Sequence, residues 1–295
     1  MLLKPRFHPQ KLVRLPERED MTLCIAAFAT KIFKEEKNQT DVVLCSDLRI
    51  ETTTSSSEIG FKMKKLGKHW AAMVAGNVSK FEELITMYCA HLPREVIPET
   101  EILDILRIPP QKFKRRLAEE YVQTMLAIPY DEFIKDGSKN LPSSLFENIM
   151  SDIARIQLDC QLILIPINGQ KSSTFYCVES NGSVFQQDHF CAIGSGANSA
   201  NSWLHFREHS RFDNLDLTLC SVLEARRFSA NAPGVGKKTH VSLITHDGKL
   251  LLTRSDNSMA ADIWKRTGPR DNKKVRFDVP KLFGTPLLWD DVGLG

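Results

Sequence analysis

The chain has 295 residues, 42% hydrophobic and 25% charged, with a formal net charge of +3. That supplies apolar material for a sizeable core, while the charge is too small to point to nucleic acid and no apolar run approaches the roughly 18 residues of a membrane span. The seven cysteines (24, 45, 89, 160, 177, 191 and 220) are scattered through apolar runs with no CxxC pair, so free buried thiols in a reducing, cytoplasmic compartment are expected.

In chain order, residues 1–20 hold five basic and three acidic side chains and lack the apolar centre of a secretory signal. "TLCIAAFAT" and "DVVLCSDLR" read as two strands joined by the polar "KIFKEEKNQT", and "HWAAMVAG" as a third ending at Gly76. From Ser79 a capping box with Glu82 opens an amphipathic helix carrying Phe81, Leu84, Ile85 and Tyr88. Prolines at 93, 98, 109, 110, 129 and 142 break the rhythm of an insertion at about 93–142, inside which "PPQKFKRRLAEEYVQTM" reads as a helix. Leu145, Ile149, Ile153 and Ile156 mark another helix. Period-two runs follow, with Asn-Gly turns at 168–169 and 181–182, then a strand to Ile193, helices at 198–209 and 215–230, and a hairpin turning at Asp247-Gly248. "SMAADIWKR" predicts a last helix, and Val279, Leu282, Phe283, Leu287 and Trp289 lie in a tail suited to packing on its own chain or on a neighbour. Two antiparallel sheets face to face with helices outside are the architecture this order implies.

Three motifs are weaker than they look. "AIGSGANSA" lacks the third glycine of a dinucleotide fingerprint, and "NAPGVGKKT" has Lys238 where a P-loop needs Ser or Thr. "HFREH" has the spacing of an inverted zinc-protease helix in His205 and His209, without an evident third ligand.

A different set of residues is spread over the first strands: Thr22 at a strand start, Asp47 at the end of the next, Lys62 after a polar loop, and Gly76 before a helix. A threonine hydroxyl needs an adjacent base, and the free α-amine of the same residue serves, with a pKa near 7.7–8.0 in model peptides. A lysine cation lowers that value and favours a developing alkoxide, an aspartate holds the lysine, and a backbone N–H beside a glycine supplies an oxyanion donor.

The stretches "TLCIAAFA", "VVLCSDLR", "KMKKLGKHWAAMVAGN", "FCAIGSGANSANSWL" and "LDLTLCSVLEARRFSANAPGVG … THVSLITHDG" occur in an order that resembles proteasome β-type subunits and their bacterial relatives. The resemblance implies an α+β fold, a four-layer αββα sandwich of two antiparallel sheets, the N-terminal-nucleophile (Ntn) hydrolase fold. It implies one such domain over 22–268, with 1–21 a leader or mis-assigned start and 269–295 a C-terminal tail. By position Thr22 matches the nucleophile, Asp47 and Lys62 its acid and lysine, Gly76 the oxyanion glycine and Ser195 the serine near the threonine amine. Ile50 and Val74 match positions near an apolar side-chain pocket. Asn231 stands where many members have an aspartate, and the serine that usually follows near "PGVG" is missing. Met21 precedes a small residue, so aminopeptidase removal of Met21 as the physiological start would make Thr22 the N-terminus. The implied activity is cofactor-independent, metal-free threonine-type cleavage of a peptide or protein substrate in a homo-oligomeric ring, with an unfoldase partner open and neither nucleic acid nor membrane involved. The alternative is a catalytically silent assembly subunit on the same fold.

Overall fold

The computed structural model describes residues 22–31, 39–48, 50–51, 56–57, 62–167, 174–252, 283 and 287–288. Strand β1 (Cys24–Lys31) pairs antiparallel with β2 (Gln39–Asp47), Cys24 opposite Ser46. With β10 (Phe190–Ile193), β11 (Thr239–Ile244), β12 (Lys249–Leu252) and β13 (Leu287–Leu288) they form a sheet in the order β10-β1-β2-β11-β12-β13. The second sheet is β5 (Met63–Lys65), β6 (Trp70–Gly76), β7 (Cys160–Pro166), β8 (Phe175–Val178) and β9 (Val184–Gln187), in chain order. A ribbon, β3 (Ile50–Glu51) with β4 (Ser56–Ser57), stands apart from both.

Period-two alternation sorts the central strands into three apolar layers. Cys24, Ala26 and Phe28 of β1 meet Ala71, Met73 and Ala75 of β6 between the sheets, where the Phe28 and Phe175 rings stack with centroids 3.9 Å apart. The other face of β1, Ile25 and Ala27, lies under helices α5 (Ala197–Phe206) and α6 (Leu215–Phe228). The other face of β6, Trp70, Ala72 and Val74, lies under α1 (Val78–His91) and α2 (Glu99–Leu126). Both faces of both sheets are covered, which is why these strands read as continuous apolar runs. Each large side chain buried in them contributes about 1.5–3 kcal/mol. Helices α3 (Tyr130–Asn140) and α4 (Ser143–Ala154) close a small satellite core with the end of α2 around Val122, Phe133 and Ile149.

Several expectations are corrected. Helix α1 is capped by Asn77, whose Oδ1 accepts from Lys80 N at 3.3 Å, so the Ser79 box lies inside the helix. Helix α2 does not break at Pro109 and Pro110 but runs through them. Pro110 has no N–H for the Leu106 carbonyl, and the buried Tyr88 hydroxyl takes that place, donating to Leu106 O at 2.8 Å. Cys177 of β8 and Cys191 of β10 meet sulfur to sulfur across the two sheets, while Cys24, Cys45, Cys89, Cys160 and Cys220 are free thiols. The hairpin turns at Asn181-Gly182 and Asp247-Gly248 are present, each glycine at positive φ. The turn at 168–169, the "SMAADIWKR" helix and most of the tail lie outside the described residues, though Phe283 is buried in the layer beneath α5 and α6. Among the described residues no helix is long and apolar enough to cross a membrane.

Candidate active site

Strand β2 is internal, so its last residue, Asp47, is covered from both sides by β1 and β11 and is fully buried. A buried carboxylate costs several kcal/mol unless charge and hydrogen bonds compensate it. Asp47 Oδ1 accepts from Lys62 Nζ at 2.7 Å, Leu23 N at 2.7 Å and Thr22 Oγ1 at 3.0 Å. Its Oδ2 accepts from Gly236 N at 3.0 Å. Lys62 comes from the other sheet: its carbonyl accepts from Val74 N at 2.9 Å, and its side chain, 4% exposed, crosses to Asp47. The neighbouring Lys64 turns away to Glu82 at 2.7 Å.

The nitrogen of Thr22 faces a second network. It donates to Ser195 Oγ at 3.2 Å, and Ser195 Oγ lies 3.0 Å from Pro233 O and 3.2 Å from Thr22 O, either of which can take its single proton. Gly194 brings the turn this close: a Cβ there would sit 2.4 Å from Thr22 O, and its φ of +90° suits glycine. Gly196 N closes the clasp on Thr22 O at 3.3 Å. The two polar groups of Thr22 therefore face separate partners, hydroxyl to Asp47, which also holds Lys62, and nitrogen to Ser195.

The loop after α6 serves both networks through its main chain, Pro233 by its carbonyl and Gly236 by its N–H. Buried Arg226 of α6 pins this loop by donating to Gly236 O. Nearby, Cys24 Sγ donates to Val74 O at 3.3 Å, and burial pushes its thiol up to about 12 against the opposing pull of Lys62. Gly76, at φ +108°, ends β6 two residues beyond that contact, and Asn77 N is held by Asp159 O at 2.8 Å.

The structure thus brings Thr22, Asp47, Lys62 and Ser195 together, with Gly76 on the adjoining strand end. It does not bring in Val74, whose side chain alternation turns it under α1, 1% exposed. Ile50 lies in β3, and its side chain is outside what the structure describes. Asn231 ends the 3-10 turn Ser229–Asn231, is exposed, and makes none of the hydrogen bonds of Ser195. Sequence reasoning missed Pro233, Gly236 and Arg226. A main-chain donor has no letter of its own, and only the glycines of "PGVG" hinted at close approach. The "HFREH" pair is separated: α5 ends at Phe206, Glu208 takes φ +51°, and His209 turns inward to Asp213 while His205 stays exposed. Among the described residues no cluster of three or more His, Cys, Asp or Glu is placed to hold a metal.

No family model and no curated protein matches the chain. Among solved structures, Anbu (ancestral beta-subunit) from Yersinia bercovieri aligns with a TM-score of 0.52 at 13% identity, over 84% of this chain and 94% of that one. At that identity the likeness shows the fold alone, a mixed α+β sandwich of two antiparallel sheets flanked by helices.

Proposed function

We propose that this chain is a threonine-type N-terminal-nucleophile peptidase or amidohydrolase, with Thr22 as nucleophile once Met21 is removed. The observation that carries the reading is one buried threonine whose hydroxyl meets an Asp47–Lys62 ion pair while its nitrogen meets Ser195. In this mechanism Thr22 Oγ attacks a peptide carbonyl and its proton passes to the α-amine of the same residue. Gly76 N–H holds the oxyanion, and the ammonium returns the proton to the leaving amine. Water, deprotonated by the amine, then hydrolyses the ester. Lys62 favours the alkoxide electrostatically, and Asp47 holds the lysine in place through their 2.7 Å ion pair. A homo-oligomeric ring enclosing the site, with or without an unfoldase, belongs to the same reading, supported by the fold likeness.

A silent assembly subunit is the second reading, favoured by exposed Asn231 standing where a charged partner of Ser195 is expected. The test is Thr22→Ala beside the unaltered protein, with fluorogenic peptide amides and the assembly state followed together. Loss of hydrolysis with the assembly intact supports the peptidase. No hydrolysis by either protein, with Thr22 confirmed as the amino terminus, leaves the scaffold.

A further inference from the structure

Strand β7 enters the second sheet beside the Gly76 corner, with Cys160 opposite Gly76 and Gln161 opposite Ala75. The Gln161 side chain leaves that sheet for the other one. Its Oε1 accepts from Gly194 N at 2.8 Å, and its Nε2 donates to Glu179 Oε2 at 2.6 Å. The amide has one orientation that satisfies both partners, because an ionised carboxylate only accepts and a main-chain N–H only donates. Glu179 is itself fixed by the β8–β9 turn, its N–H donating to Ser183 O at 3.0 Å and its carbonyl accepting from Gly182 N at 2.9 Å.

Gly194 is the hinge of the turn that places Ser195 on Thr22. On one side its backbone lies against the Thr22 carbonyl, with no room for a Cβ. On the other side its N–H is anchored by Gln161. The anchor therefore joins the strand paired beside the candidate oxyanion corner to the turn that carries the amine's partner. A tie of that kind fixes the separation of two halves of one site, one on each sheet.

We propose that Gln161, oriented by Glu179, is a positioning residue that holds Ser195 Oγ against the Thr22 nitrogen and so sets the proton affinity of the Thr22 amine. Its kinetic consequence rests on the peptidase reading, and its effect on the amine does not. Displacing a positioned catalytic group by about 1 Å costs up to about 10²-fold in rate.

The test uses protein beginning at Thr22, unaltered or carrying Gln161→Met, Gln161→Glu, or Gln161→Glu with Glu179→Gln. Two quantities are followed against pH: hydrolysis of a fluorogenic peptide amide, and acetylation of the Thr22 amine by acetic anhydride, read by mass spectrometry of the amino-terminal peptide. Gln161→Met is expected to lower kcat by about 10–100-fold with KM nearly unchanged, and to move the acetylation midpoint. Gln161→Glu sets two carboxylates against each other, so its activity falls as pH rises and both ionise. The exchanged pair restores rate and midpoint, since the carboxylate at 161 then accepts from both Gly194 N–H and the new amide at 179. An unchanged midpoint in Gln161→Met, or a lowered melting temperature with no other change, overturns the proposal. So does an exchanged pair that fails to recover the midpoint, which also decides the matter if Gln161→Met does not fold. If the unaltered protein hydrolyses nothing, the peptidase reading falls, and the acetylation midpoints alone judge Gln161.

Discussion

Asp47 accepts an ammonium, a hydroxyl and two main-chain amides, and all four would be left without this acceptor by a side chain lacking oxygen. Asp47→Asn removes the charge that compensates Lys62, and a buried cation without its partner costs about 3–5 kcal/mol. Lys62→Met does the same in reverse. The two together are expected to recover much of the lost stability, because no uncompensated charge remains, and none of the hydrolysis. Urea denaturation of the four proteins closes that cycle, and a strictly additive result would mean the ion pair holds nothing. Gly194→Ala is expected to destabilise by more than the roughly 1–2 kcal/mol of a left-handed alanine, because its Cβ would also meet Thr22 O at 2.4 Å. The same protein should lose reactivity at Thr22 in nucleophile trapping.

At the scale of elements, the Tyr88 hydroxyl repairs what Pro110 takes from α2. Tyr88→Phe leaves the Leu106 carbonyl without that donor in a buried place, at about 1–3 kcal/mol, and hydrogen exchange should quicken in α2 before the sheets. Phe133→Ala opens the satellite core, costs about 3–5 kcal/mol there, and should loosen α3 and α4 while leaving Thr22 trapping as it was. The sheets were legible because two-sided burial writes uninterrupted apolar runs, as in "CIAAFAT" and "WAAMVAG", and because Asn181-Gly182 and Asp247-Gly248 fix where hairpins turn. Helix α2 was only half legible. Ile102, Leu106 and Phe113 keep one helical face across the proline pair, yet the local rule for proline says stop, and the repair comes from a tyrosine on another helix. Thr22, Asp47 and Lys62 stood out as side chains of the right chemistry in order. Gln161 did not, because a glutamine in a strand carries no signal until the sheets are stacked and its partner is seen to be a glycine N–H on the far side.

At the scale of the whole molecule, one acid-sensitive group is His240 of β11, which burial pushes down from 6.5 to about 4. The unfolded chain takes a proton there at higher pH than the folded one, so the folded state is favoured fully above about 6.5 and loses that advantage as pH falls towards 4. The slope within that window is at most about 1.4 kcal/mol per pH unit. Urea midpoints measured from pH 7 to pH 4.5 should fall accordingly, and His240→Gln should flatten the curve. The distances along the chain at which the site is closed have a consequence of timing. Asp47 lies 25 residues from Thr22, whereas Ser195 lies 173 residues from Thr22 and Gly236 lies 189 from Asp47. A ribosome delivers the hydroxyl's partner early and the nitrogen's partner only after β10 has been made. A nascent chain thus carries Thr22 with its hydroxyl's partner already made and its nitrogen's partner still to come, so the two halves of this site can meet only when most of the chain has been made.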